Sequence, residues 1–90
     1  MAQFTKEEFF GKWHSVAKKF EEAPAEKIDE AQIRQALKDN NVPHDFIETH
    51  FKDMIGYCHG RTPEELDHEK IEQYAQEVYE KAKECGLASE

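Results

Sequence analysis

Ninety residues with 20 acidic and 12 basic side chains, a net charge of −8, 38% hydrophobic content and 36% charged content describe one small soluble globular domain. No apolar run approaches the ~18 residues of a membrane span, and the opening MAQFTKEEFF lacks the basic-then-apolar order of a secretory signal. The acidic balance argues against nonspecific nucleic-acid binding, which needs Lys and Arg to displace counterions, so a cytoplasmic chain with a protein partner is the expectation.

Phe4-Thr5-Lys6-Glu7-Glu8-Phe9 opens the first helix, with Thr5 as cap, Glu8 completing a capping box, and Phe4 and Phe9 placed as a hydrophobic staple. Phe9, Phe10, Trp13, Val16, Ala17 and Phe20 then share one arc, and Pro24 stops the helix near Glu22. Ile28 to Ile33 repeats the pattern, with Asp29 as cap and Gln32 three residues on. Ile33, Ala36 and Leu37 form the stripe, and Asn40-Asn41 ends the helix because Asn tolerates the left-handed conformation.

Val42 to Gly60 carries the densest apolar content and is expected to organise the fold. Ile47, Phe51, Met54, Ile55 and Cys58 share one side of a helix that begins at Pro43 and stops at Gly60. Phe46, His50 and Tyr57 form a shoulder that widens the apolar arc beyond the ~100° of an ordinary surface helix, so more than one neighbour is expected. Phe51 should be central.

Thr62-Pro63-Glu64-Glu65 is a third capping box. Leu66 is out of phase with the apolar stripe of the last helix, so Thr62 to Leu66 is read as a separate turn and Asp67 as the cap of that helix. A continuous helix from Pro63 is the alternative. Ile71, Tyr74, Ala75, Val78, Ala82 and Cys85 share the final arc, with Tyr79 at its edge; Gly86 is the stop and Leu87 the apolar residue beyond it. Nothing alternates with period two. The expected fold class is therefore all-α: a compact four-helix bundle-like single domain over 1–90, with short connections and helices near 6–21, 30–40, 44–59 and 68–85.

Two cysteines, Cys58 and Cys85, lie on or beside apolar stripes and are expected as buried thiols. In an antiparallel pair of final helices they fall at opposite ends of the last one, about 27 Å apart, too far for a disulfide. Cys58, His59 and His68, with Asp67 as a fourth donor, suggest a metal reading. The spacing fits no standard zinc module, and no metal or cofactor is expected. No glycine-rich phosphate loop or nucleophile motif is present, so no catalytic residues are expected. Asp29–Gly60 also has helix-turn-helix spacing, but its second helix would present Asp45, Glu48 and Asp53 to phosphates. A small-molecule site among the aromatics is a further reading, weighed against the need of a small domain for a filled core.

Charge is uneven along the chain. Residues 1–60 carry eleven acids and eight bases, and residues 61–90 carry nine acids and four bases. On the last helix Glu69, Gln73, Gln76, Glu80 and Glu84, flanked by Glu72 and Glu77, form one polar face. Such a run is usually a solvated helix face; its functional reading is a docking face for a basic protein partner. In size, acidity and helicity the chain resembles the colicin immunity proteins, but the binding-site motif of that family is absent and membership is not inferred. The functional expectation is a small acidic protein-interaction module, an inhibitor or adaptor, that binds neither nucleic acid nor membrane and is not an enzyme. The alternatives are the helix-turn-helix and the metal site at Cys58, His59 and His68.

Overall fold

Local capping sets where each helix begins and ends. The computed structural model describes residues 3–89, and among them runs α1 (Lys6–Glu21), α2 (Glu30–Asp39), α3 (His44–His50), α4 (Lys52–Cys58), a 3-10 turn at Pro63–Glu65, and α5 (His68–Glu84). Both halves of the expected capping boxes form. Glu8 N–H donates to Thr5 Oγ1 at 3.1 Å while Thr5 N–H donates to the Glu8 carboxylate at 2.9 Å. Asp29 and Gln32 do the same for α2, and Thr62 and Glu65 for the 3-10 turn. Accepting these bonds favours the ionised carboxylate, and the backbone N–H of the cap holds Glu8 and Glu65 below the usual carboxylate range. Asp67 caps α5, accepting from Glu69 and Lys70 N–H. The all-α expectation holds, as do the separate turn at Thr62–Leu66 and the ends of the first, second and last helices to within a residue.

Two helices end in the same way. Asn41, at φ +67°, follows α2; its N–H reaches Lys38 O and the N–H of buried Val42 reaches Leu37 O. Gly86, at φ +78°, follows α5, with Gly86 N–H on Lys83 O and Leu87 N–H on Ala82 O. Both are Schellman caps, in which a left-handed residue turns the chain back and satisfies the last carbonyls.

The third helix departs from expectation. Instead of one helix over 44–59 the chain bends at Phe51 (φ −90°, ψ −3°) into α3 and α4. The bend keeps its own bonds: Phe51 N–H donates to Ile47 O at 3.1 Å and Phe51 O accepts from Ile55 N–H at 2.9 Å. Neither proline nor glycine stands there, so side-chain packing sets the bend. The wide apolar arc is divided between directions, with α3 packing on α2 and α4 on both α2 and α5. Phe51 is turned into Phe9 (ring centroids 6.4 Å) and Phe46 (5.9 Å).

Four of the helices, α1, α2, α4 and α5, close as a ring in which each touches the next. Their ends show that neighbours run antiparallel. Lys12 Nζ meets Asn40 O at the end of α2, and Glu30 N–H at the start of α2 meets His59 Nδ1 just beyond α4. Tyr57 OH, in the last turn of α4, accepts from Asp67 N–H at the cap of α5, and Phe4 before α1 pairs with the tail after α5. Two backbone clasps reinforce the ring. At one end Ile28 N–H donates to Arg61 O (2.8 Å) and Gly60 N–H to Ile28 O (2.9 Å). At the other Phe4 N–H donates to Leu87 O (2.9 Å) and Ser89 N–H to Phe4 O (2.7 Å).

Inside lies one apolar cluster, and among the described residues no polar or charged residue is buried. Two positions, one on α5 and one just beyond it, differ from the expected stripe. Tyr79, expected at the edge, is 1% exposed, with its OH donating to Ser89 O at 3.0 Å. Cys85, expected as a buried thiol, is exposed. The helix stops at Cys85, and the Gly86 turn sends Ala88 into the core instead. No described helix is long and apolar enough to cross a membrane.

Phe51 is 2% exposed at the bend. Phe51→Ala is expected to lower unfolding stability by ~3–5 kcal/mol, the cost of emptying a fully buried aromatic site. Urea denaturation measures it, and a loss below ~1 kcal/mol would place Phe51 outside the core.

Candidate functional site

The polar face of α5 forms because Ile71, Ala75, Val78, Tyr79 and Ala82 are drawn into the core, leaving the opposite side of a helix of about five turns in water. Glu69, Glu72, Gln73, Gln76, Glu77, Glu80 and Glu84 are all exposed. The structure brings these sequence-selected residues onto one continuous surface. The charge along it is not uniform. Glu80 is engaged by Lys83 (3.3 Å) and accepts from Gln76 Nε2 (2.9 Å), and Glu84 meets Lys81 at 3.3 Å. Glu72 faces His14 of α1 at 3.9 Å, an ion pair only when that imidazole is protonated. Glu69 and Glu77 have no ionic partner among the described residues. The unneutralised charge is thus at the start and middle of α5, and the last turn is balanced by its own lysines.

A groove of about 740 Å³ lies beside the C-terminal end of that helix. One wall is the start of α3, with Pro43 and Phe46, and the other is Phe4 with the Gly86–Leu87 turn. Phe46 is held from behind by Phe9 (6.3 Å, edge to face) and covered on one side by the His50 ring at 4.8 Å. Asp45, Thr49, His50 and Cys85 stand around the opening. Helical periodicity puts Phe46 and His50 on a shoulder of the helix but does not reveal a groove beside them, because the opposing wall comes from Phe4 and the Gly86–Leu87 turn. The one signal available was an apolar arc wider than a single neighbour needs.

The residues considered for metal binding separate. His59 turns toward α2, where its Nδ1 accepts Glu30 N–H at 3.1 Å and lies 3.9 Å from Asp29 Oδ1. His59 is therefore a cap for α2, and the accepting Nδ1 places its proton on Nε2. His68 and Cys58 line a small internal recess of about 60 Å³ with Trp13 and Phe20. Among the described residues no group of three or more His, Cys, Asp or Glu is arranged to hold a metal ion. Burial pushes the Cys58 thiol up to about 11, against a small opposing pull from Arg61, so at neutral pH it is a protonated, weakly nucleophilic group.

The helix-turn-helix spacing corresponds to α2, the Asn40–Pro43 turn and α3, whose exposed positions include Asp45 and Glu48. Arg34, the cation of α2 nearest that face, is bound by Glu48 at 2.8 Å and Glu30 at 3.4 Å, and these bonds raise its already high affinity for its proton. Comparison with protein-family models, with curated proteins and with solved structures found no match.

The two thiols should differ in reactivity. At pH 8 an aromatic disulfide reagent is expected to label Cys85 rapidly and Cys58 only on unfolding, since Cys58 is 1% exposed and its thiolate is scarce until pH nears 11. One fast equivalent in buffer and two in denaturant fit this structure; two fast equivalents in buffer would show that Cys58 is not enclosed.

Proposed function

We propose that this chain is a non-catalytic, cytoplasmic protein-interaction module, an inhibitor or adaptor, that receives a basic protein partner on the exposed face of α5. One observation carries the reading: seven polar residues stand exposed on one side of α5, and Glu69 and Glu77 have no ionic partner among the described residues. A rigid helix tied into the core on its other side presents these charges at fixed spacing. Little side-chain ordering is then needed to meet a complementary surface. The net charge of −8 supports a basic protein partner over nucleic acid, whose phosphates it would repel.

Rim charges act more on encounter than on dwell time, and their reach is about 8 Å at physiological salt. A partner captured from the source cell should therefore associate more slowly as salt rises. Glu77→Lys with Glu80→Lys is expected to slow association by roughly tenfold at low salt while changing stability by no more than ~0.5 kcal/mol. Association measured by stopped flow that ignores both reversals would refute the acidic-face reading.

A further inference from the structure

We infer that the groove between the start of α3 and the terminal clasp is the apolar anchor site of the same interface. It would receive a hydrophobic side chain carried on a basic amphipathic segment of the partner. The inference rests on the acidic-face reading for the direction of approach and on separate residues for the anchor.

The groove is continuous with the acidic helix. A second recess of about 180 Å³, between the bend region and α5, shares Thr49 and His50 with it and is lined by Asp53, Glu77 and Lys81. The two form one track that starts at the clasp, passes His50 and reaches Glu77, which has no ionic partner among the described residues. The floor at the clasp end is apolar: Pro43 is exposed, Phe4 and Leu87 are half-buried, and Phe46 is backed by the aromatic core. The charged residues lining the track are Asp45, Asp53 and Glu77 against Lys81, three carboxylates to one ammonium. Lys12, over the Phe4 ring at 4.0 Å, is bonded to Asn40 O at the end of α2.

That combination selects the occupant. An uncharged apolar segment would use the floor and leave the carboxylates without partners. An acidic segment would be repelled, and a purely basic one would leave the apolar floor wet. A segment with an apolar side chain flanked by Lys or Arg matches both. Electrostatics then governs arrival, and a buried side chain near the centre of the contact governs retention. Presenting one face to an apolar groove is what an amphipathic helix does in other recognition modes.

The probe is a synthetic helix of about four turns, with Leu and Trp on one face and Lys on the other. One control replaces Leu and Trp by Ser; a second replaces Lys by Glu. Cys85, on the groove's edge, reports occupancy through its alkylation rate, and amide chemical shifts of the 15N-labelled protein locate binding. The Lys/Leu/Trp peptide at saturation is expected to slow Cys85 alkylation about tenfold and to shift Phe46, Thr49, His50 and Leu87. Neither control should slow it. Unchanged alkylation, or shifts confined to α5, overturns the anchor site while leaving the acidic face standing. Equal protection by the Ser control overturns the apolar anchor, and equal protection by the Glu control overturns the basic partner. If the groove responds as expected but Glu77→Lys with Glu80→Lys leaves association of the Lys peptide unchanged, the acidic-face reading fails and the groove stands.

Discussion

The Phe9 ring is the contact on which the rest of this structure depends. Its centroid lies 5.9 to 6.4 Å from those of four other rings: Phe10 beside it on α1, Phe46 on α3, Phe51 at the bend and Tyr79 on α5. The Phe46 pair is edge to face and the Phe51 pair is stacked, both favourable for ring quadrupoles. Through one side chain, three separate segments are referred to α1. Removing this ring from water contributes on the order of 2–3 kcal/mol, and its position matters as much as that burial. Phe9 holds Phe46 under the groove and Phe51 at the bend. It also meets Tyr79, and so helps fix the rotation of α5 that turns the acidic residues outward.

The clasps act at the ends of the ring that Phe9 centres. The pairing of Phe4 with Leu87 and Ser89 joins residues more than eighty apart in sequence, and Ile28 with Gly60 and Arg61 joins the start of α2 to the end of α4. Each supplies backbone partners for groups that would otherwise compete for water at a loop. The first also builds a wall of the groove. Its outer half is the Gly86 turn, which explains the exchange at the C-terminus: Cys85 goes to the surface and Ala88 into the core.

The parts legible in the sequence are those set by short-range chemistry. Thr5 with Glu8, Asp29 with Gln32 and Thr62 with Glu65 each identify a start within four residues, and Asn41 and Gly86 mark stops because few side chains tolerate the left-handed turn. Leu66, out of phase, marked the break before α5. The bend at Phe51 was not legible, because Ile47, Phe51, Met54 and Ile55 keep helical phase across it and the packing that accompanies the bend involves α1, α2 and α5, all outside this stretch. His59 as a cap for α2 and the groove were hidden for the same reason: each needs two segments remote in sequence. Of the candidate surface, the acidic half could be read from periodicity along a single helix. The apolar half required knowing where the chain ends meet.

If Phe9 is the hub, its loss must cost more than the loss of its neighbour Phe10, which is half-buried and meets only Phe9 and Tyr79 among the rings. Urea unfolding of Phe9→Ala beside Phe10→Ala is the direct comparison. A loss of ~3–5 kcal/mol for Phe9 and less than about half of that for Phe10 is predicted. Equal losses, or a Phe9 loss below ~1 kcal/mol, would contradict the central position given to this ring.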